Sequence, residues 1–141
     1  MADSTLAFVF PGQGSQTVGM LAELADTFPV VRHTFEQASD ILGRDLWKLV
    51  VAGPKEELDQ TENTQPAMLA AGVAVWRCWE QQGGPAPTLV AGHSLGEYTA
   101  VVCGGALAFE DGVTLVAMRA RLMQTAVPEG DGAMAAVLGL D

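Results

Sequence analysis

Positive charge is scarce in this sequence. Lys and Arg number 7 against 17 Asp and Glu, which gives a formal net charge of −10 at pH 7. A surface that binds nucleic acid or acidic lipids needs clustered Lys and Arg side chains. We therefore expect neither nucleic acid nor a membrane among the partners of this protein.

Long apolar runs and cysteine pairs are also missing. The N-terminal residues MADST lack a basic signal-peptide region, and the apolar run after them covers only residues 6–10. Cys78 and Cys103 have no CxxC spacing and lie in apolar or amphipathic helical stretches. Two buried thiols in a reducing compartment are the expectation, and we expect a cytoplasmic protein without a metal site.

The pattern of apolar residues alternates between strands and helices. With 141 residues and 49% apolar residues, the chain is about one domain in size and can form a core. Strand–helix alternation predicts an α/β fold with a largely parallel sheet. We predict buried strands over 6–10 and 88–91, a third strand over 133–140, and helices over 28–43, 63–84, 95–105 and 110–126, the 63–84 helix beginning at the Asn63–Pro66 segment.

The glycine-rich segment GQGSQTVG, residues 12–19, resembles two phosphate-binding motifs and satisfies neither. A dinucleotide fingerprint needs a third glycine where Thr17 stands, and a P-loop needs lysine where Met20 stands. What remains is a glycine-rich turn at the carboxyl end of a strand. Backbone N–H groups can approach a ligand closely in such a turn.

Ser94, in the segment AGHSLGEY (91–98), has two interpretations. Ser94 and Glu97 fit a capping box, in which both side chains satisfy N–H groups at the start of a helix. Gly92 and Gly96 also place the serine in G-x-S-x-G between a strand and a helix, which is the context of a nucleophile elbow. The second interpretation is favoured, and we expect Ser94 to do both.

An elbow serine needs donors for the oxyanion that forms when it attacks a carbonyl group. The N–H of Leu95, directly after the serine at a helix N-terminus, is the first candidate. A second donor has to come from another loop at the same edge of the sheet. The turn at 11–14 is the best candidate for it.

Arg119 lies on an apolar helix stripe with Leu115, Val116, Leu122 and Met123, whereas Arg121 lies beside polar residues. A buried guanidinium needs a partner, because an unpaired buried charge is costly. That partner is either a carboxylate of the chain, such as Glu97, or the carboxylate of a substrate held by the two-donor fork.

Five motifs together make the chain resemble the malonyl-CoA:acyl-carrier-protein transacylase family, the acyltransferases of fatty-acid and polyketide synthesis. In family order they are FVFPGQGSQ (8–16), TQPA (64–67), AGHSLGEY (91–98), MRARLMQ (118–124) and GAMAAVLG (132–139). The resemblance covers essentially the whole chain. It implies malonyl transfer from coenzyme A to a serine and then to the phosphopantetheine thiol of acyl carrier protein, without a cofactor beyond the coenzyme A thioester substrate.

The resemblance also implies roles for four residues. Ser94 matches the nucleophile, Gln13 and Leu95 match the backbone oxyanion donors, and Arg119 matches the arginine that binds the malonyl carboxylate. It implies an α/β-hydrolase-like large subdomain, of which 1–126 is the N-terminal part, and a small ferredoxin-like subdomain whose first strand lies in 127–141.

The family pairs its serine with a histidine well downstream, and no residue here matches it. His33 shares a helix face with polar residues, and the side chain of His93 should diverge from that of Ser94 at the turn, so we expect both to be structural. We expect the chain to be part of a longer protein and to turn over little alone. The longer form should be monomeric, whereas the shorter one could associate through exposed apolar surface.

Two other functions fit the same residues. A serine esterase or thioesterase would use the elbow with water as acceptor, although it would have no need of Arg119 as a carboxylate ligand. A non-catalytic module would use Ser94 only as a helix cap. Replacing Ser94 by alanine separates an enzyme from such a module.

Overall fold

The computed structural model describes residues 6–127, 131–132 and 139, and in this part of the chain it contains two strands and seven helices. The elements in chain order are β1 (Ala7–Phe10), α1 (Ala22–Thr27), α2 (Pro29–Leu42), α3 (Leu46–Ala52), α4 (Lys55–Leu58), α5 (Thr61–Gln81), β2 (Leu89–Gly92), α6 (Leu95–Cys103) and α7 (Phe109–Ala126). The third strand predicted over 133–140 lies outside the described residues, apart from Gly139.

The strands β1 and β2 pair in parallel, as the alternation of elements predicts. The prediction that both strands are buried is wrong, since Val9 is 77% and Leu89 is 56% exposed. One face of β1 is covered: Phe8 packs edge-on against Trp76 of α5 at 5.1 Å between ring centroids, and Phe10 is buried. Among the described residues, no element covers the face that carries Val9, so the strand is buried on one side only.

Helix α5 is the centre of the core and packs against α2, α6 and α7. From Asn63 to Ala71 every residue of this helix is buried. The largest fully buried apolar side chains are Leu69 of α5 itself and, on the elements around it, Phe35, Leu46, Leu58 and Leu95. The core therefore consists of helices packed beside a narrow sheet.

The predicted start of α5 at Asn63–Pro66 is wrong, because the helix begins at Thr61 and contains Pro66 in its second turn. Proline has no N–H to donate to the carbonyl group four residues earlier, which is that of Glu62. The guanidinium of Arg44 donates to this oxygen instead, at 2.8 Å. A contact from a distant residue thus supports a proline where helices seldom tolerate one.

The limits of the other predicted helices agree with the structure to within one or two residues. Helix α2 begins with Pro29 and ends before Gly43, which has the left-handed conformation expected after a helix (φ 66°). Both cysteines are free thiols; Cys78 is buried and Cys103 is half-buried. Burial raises the pKa of Cys103 to about 12, and the nearby Glu80 carboxylate adds to the rise.

Candidate active site

Two turns meet at the carboxyl edge of the sheet. The strand register places Phe10 beside Gly92, so the turn after β1 and the turn after β2 leave the sheet together. The N–H of His93 continues the pairing by donating to the carbonyl of Phe10 at 3.1 Å. This edge is where α/β proteins bind ligands.

Glycine is required where these turns approach each other. A Cβ atom on Gly96 would overlap the carbonyl group of Phe10, and one on Gly92 would overlap the backbone of Gly96. A Cβ atom on Gly12 would lie 2.9 Å from the carbonyl oxygen of His93. Both flanking glycines of the G-x-S-x-G segment are therefore needed for backbone contact between the strands and α6.

Ser94 lies at the sharp turn between β2 and α6. Its backbone angles are φ 53° and ψ −110°, which a residue with a side chain seldom adopts, and the residue is exposed. The expectation that Ser94 also caps the helix is wrong, since its side chain makes no capping hydrogen bond. Strained backbone at an exposed serine is the geometry of a nucleophile elbow.

The Ser94 hydroxyl accepts a hydrogen bond from Arg119 of α7. The distance from Arg119 Nη2 to Ser94 Oγ is 3.0 Å, and Arg119 Nη1 donates to Oε1 of Gln65 at 2.6 Å. The guanidinium also lies 5.5 Å from the centre of the Tyr98 ring. Among the described residues, no carboxylate forms an ion pair with Arg119, so Glu97 is not its partner.

Arg119 is half-buried rather than enclosed, because the apolar stripe around it is open. Leu122 is 63% exposed and Leu115 is 41% exposed. A groove of about 360 Å³ runs along α7 with Arg119 as its charged group, and it is lined by Leu115, Met118, Arg119, Leu122, Met123 and Ala126. Each terminal guanidinium nitrogen carries a second N–H, so the group can still bind a ligand carboxylate.

Gln65 is a site residue that the sequence pattern did not single out. It is fully buried on α5, and its Nε2 lies 3.3 Å from the sulfur atom of Met123 while its Oε1 accepts from Arg119. A buried glutamine inside an apolar helix face was the available signal, because a buried amide needs polar partners. Its partner stands 54 residues away.

The proposed oxyanion donors, the backbone N–H groups of Gln13 and Leu95, belong to the two turns that meet at the edge of the sheet. Leu95 is the first residue of α6, and its side chain is fully buried. The side-chain Nε2 of Gln13 donates to the hydroxyl of Thr61 at 3.0 Å. Within the described part of the chain, neither backbone N–H donates to a protein acceptor; Gln13 is exposed, whereas Leu95 has no exposed surface in this structure.

A second glutamine connects the first turn to the α4–α5 junction. Gln16 Oε1 accepts from the N–H of Gly14, and Gln16 Nε2 donates to Oδ1 of Asp59, both at 2.8 Å. Asp59 also pairs with Lys55. The hydrogen bonds from Lys55 and then from Gln16 hold the pKa of the Asp59 carboxyl below its usual value.

Neither histidine hydrogen bonds to Ser94, although all three residues are described. His33 is exposed and lies 3.8 Å from a carboxylate oxygen of Glu36, as expected for a solvated surface position. His93 is exposed, and its ring packs beside Gly12.

In the described residues, no cluster of three His, Cys, Asp or Glu could hold a metal ion, and no helix is long and apolar enough to cross a membrane.

The fold and the site together define an α/β protein with a strained serine elbow and an arginine against the serine hydroxyl. Residues 7–139 match the acyl transferase domain family, and the chain belongs to this family. Over 135 residues it is 63% identical to malonyl CoA-acyl carrier protein transacylase of Escherichia coli (strain K12), with 96% of this chain and 44% of the relative covered. Identity to the Bacillus subtilis (strain 168) protein of the same name is 47%, over 98% of this chain and 43% of that relative.

Solved structures show the same similarity. An acyl carrier protein S-malonyltransferase from Vibrio cholerae has a TM-score of 0.87 at 58% identity, with 90% of this chain and 42% of that chain covered. A malonyl-transacylase in complex with its type II PKS acyl-carrier protein has a TM-score of 0.88 at 62% identity, over 90% of this chain and 41% of that one. The chain is thus a mixed α/β protein with a small parallel sheet, and it spans less than half the length of the relatives it matches.

Proposed function

We propose that the protein containing this chain transfers a malonyl group from malonyl-CoA to the phosphopantetheine thiol of acyl carrier protein, through a malonyl ester on Ser94. The observation that carries the proposal is the 3.0 Å hydrogen bond between Arg119 Nη2 and Ser94 Oγ. It places a carboxylate-binding cation next to an exposed serine on an elbow. The names of the relatives and the acyl transferase domain support the same chemistry.

In the first half-reaction Ser94 Oγ attacks the thioester carbonyl and loses its proton to a base. The C–O bond forms, the carbonyl oxygen becomes negative, and the N–H groups of Gln13 and Leu95 stabilise it. The C–S bond then breaks, and coenzyme A leaves as a thiol after taking up a proton. In the second half-reaction the carrier-protein thiol attacks the ester, and Ser94 leaves with a proton returned to it.

Arg119 selects the acyl group in this scheme. The distal carboxylate of malonyl accepts hydrogen bonds from the N–H groups of the guanidinium. Gln65 holds the orientation of that guanidinium. The reaction needs a coenzyme A thioester as substrate and no cofactor. We assign the general base to none of the residues described here, since neither histidine side chain hydrogen bonds to the Ser94 hydroxyl, whose partner is Arg119.

The same proposal includes the finer fold assignment. Residues 1–126 form the N-terminal part of an α/β-hydrolase-like large subdomain, and 127–141 form the first strand of a ferredoxin-like subdomain. The parallel pairing of β1 with β2 and the strand–elbow–helix order support the first half of this assignment. The protein acts in the cytoplasm as a monomer.

The test is formation of the ester on Ser94. The protein is prepared at the full length of its relatives, mixed with malonyl-CoA, and analysed by intact mass and peptide mapping. We expect a malonyl adduct on the peptide that contains Ser94, its transfer to added carrier protein, and loss of both in Ser94→Ala by a factor of about 10³ or more. The control Ser15→Ala removes an exposed serine of the neighbouring turn and should retain the adduct.

Transfer that persists in Ser94→Ala would exclude the serine as the nucleophile. Release of free malonate at the same rate with or without carrier protein would identify a hydrolase instead of a transferase.

A further inference from the structure

We propose that Gln16 and Asp59 are positioning residues that fix the backbone N–H of Gln13 toward the oxyanion. This inference rests on the proposed function of Ser94 and Gln13. We call the chain of hydrogen bonds from Gly14 N–H through Gln16 to Asp59 the turn clamp. It connects the first turn to the α4–α5 junction across 43 residues of sequence.

The turn itself has little to hold it in one conformation. Gly12 and Gly14 flank Gln13, and Gly14 has a φ of +106°. Glycine adopts positive and negative φ values about equally readily, so it does not itself hold the turn in this conformation. The direction of the Gln13 N–H therefore depends on restraints from outside the turn. On the side of Gly12 that restraint is the close backbone of His93.

The clamp supplies the restraint on the other side. Gln16 Oε1 holds the N–H of Gly14 at 2.8 Å, which fixes the peptide group that follows Gln13. The side chain of Gln13 is held independently by Thr61 at 3.0 Å. The Gln13 N–H belongs to the preceding peptide group, whose Gly12 end lies against the backbone of His93. With the following peptide group and the Gln13 side chain also held, the N–H has little freedom to turn before any substrate binds, which is what an oxyanion donor requires.

The charge on Asp59 sets the orientation of the Gln16 amide. A flipped amide would turn its oxygen toward the carboxylate and its NH₂ group toward the Gly14 N–H. Two acceptors would then face each other at one end and two donors at the other. Lys55, the first residue of α4, pairs with Asp59 directly after that helix, and Glu56 is the other nearby charge that acts on Lys55. The pKa of Asp59 is lowered, so the carboxylate stays ionised at neutral pH.

The experiment measures the rate of ester formation on Ser94 in the full-length protein. We expect Gln16→Ala and Asp59→Leu each to lower kcat for acylation by malonyl-CoA about tenfold, with KM unchanged, because the donor acts on the transition state and not on the bound substrate. Asp59→Asn keeps an acceptor oxygen for Gln16 but loses the charge that orients the amide, so its rate should fall between that of Asp59→Leu and that of the unmodified protein. The double variant should be no slower than either single one, since both remove the same chain of bonds.

Glu56→Leu is the matched control, because it removes a neighbouring exposed carboxylate that makes no contact with Gln16. Its acylation rate should equal that of the unmodified protein. A role of the clamp in stability alone would lower the unfolding temperature in Gln16→Ala and leave kcat of the folded enzyme unchanged, and that result would overturn the inference.

A fluorophosphonate probe separates this inference from the proposed function. Ser94 Oγ displaces fluoride from the phosphorus atom, a proton passes to solvent, and the phosphoryl oxygen occupies the oxyanion position whatever the natural substrate is. Slower labelling in Gln16→Ala than in Glu56→Leu supports the clamp even if malonyl-CoA fails to acylate the protein. Equal labelling rates overturn the clamp and leave malonyl transfer standing, and an unreactive Ser94 overturns both proposals.

Discussion

Arg119 is the residue whose surroundings carry the most chemical information. It holds the Ser94 hydroxyl with one terminal nitrogen and is itself held by buried Gln65 through the other. A cation kept in place without a carboxylate partner in the described part of the chain retains its charge for a ligand. The residue is therefore suited to discriminate between acyl groups.

We predict that Arg119→Ala lowers malonyl transfer by about 100-fold or more, because two charge-assisted hydrogen bonds to the carboxylate are lost. Transfer of a neutral acetyl group should fall only severalfold, through the lost contact with Ser94. The measurement is kcat/KM for malonyl-CoA and acetyl-CoA with the full-length protein.

The matched control is Arg121→Ala, two positions along the same helix on an exposed face. It should leave both rates within about twofold, as surface changes usually do. Equal losses for malonyl and acetyl transfer in Arg119→Ala would mean that the arginine only supports the fold of the elbow.

The sequence alone predicts a site residue when the pattern that marks it lies in the residues next to it. Ser94 could be found from its flanking glycines, and Arg119 from a charge on an apolar stripe. The structure corrects one detail, because the strained turn directs the Ser94 side chain to Arg119 and away from the helix cap. Gln65 had one local signal, a polar residue inside an apolar helix face, and Gln16 had none. The roles of Gln16 and Gln65 depend on partners 43 and 54 residues away, which the local sequence does not show.

Among the elements, α6 is fixed to the sheet through a glycine. We predict that Gly96→Ala lowers the free energy of unfolding by about 3 kcal/mol or more, because the added methyl group would overlap the backbone of Phe10, which belongs to a paired strand and cannot move aside. The measurement is urea unfolding followed by circular dichroism.

Gly104→Ala at the other end of the same helix is the control. Its Cβ atom would lie 3.1 Å from the carbonyl oxygen of Ala100 and 3.4 Å from Val90, which small shifts relieve. Its midpoint in urea should stay close to that of the unmodified chain. A similar small effect for Gly96→Ala would show that strand and helix can separate at the elbow.

The predicted elements succeed where the periodic pattern is long. Helices α2 and α7 have 14 and 18 residues, enough for several turns of a repeating apolar face. Helices α1, α3 and α4 were not predicted, since with 6, 7 and 4 residues they hold two turns or fewer. The start of α5 was misplaced because the bond from Arg44 to Glu62 that accommodates Pro66 is not visible in local sequence.

The stability of the whole molecule depends on the helical core around α5. Phe35 is fully buried and lies 5.1 Å from the ring of Trp47. We predict that Phe35→Ala lowers the free energy of unfolding by about 3–5 kcal/mol, the cost of removing a buried ring and leaving a cavity. Urea unfolding monitored by tryptophan fluorescence measures it.

Ile41→Ala provides the comparison on the same helix, because Ile41 is 37% exposed. Its cost should stay below about 1.5 kcal/mol, since the side chain is only partly removed from water in the native state. If the two variants unfolded at the same urea concentration, the core would not be centred where the structure places it.

How far the strands are exposed depends on how the whole molecule packs, and the sequence pattern could not predict it. A short apolar run indicates a strand but does not say how many of its faces are covered, which depends on elements elsewhere. Val9 and Leu89 remain open on the sheet, as do Leu122 and Met118 on α7. Exposed apolar side chains on the sheet and on α7 favour contact with further protein.

The pairing of Phe10 with Gly92 has a consequence for genetics. It brings together the two turns that carry the proposed oxyanion donors, the N–H groups of Gln13 and Leu95, which belong to the main chain and are encoded by no particular side chain. A library of substitutions would reveal Ser94 through its hydroxyl, but it would detect Leu95 through its buried side chain and Gln13 through its contact with Thr61. The N–H group itself is supplied by nineteen of the twenty amino acids. Only a codon for proline deletes that group, so a mutational scan would report the side chains at these two positions and not the atoms that we propose bind the oxyanion.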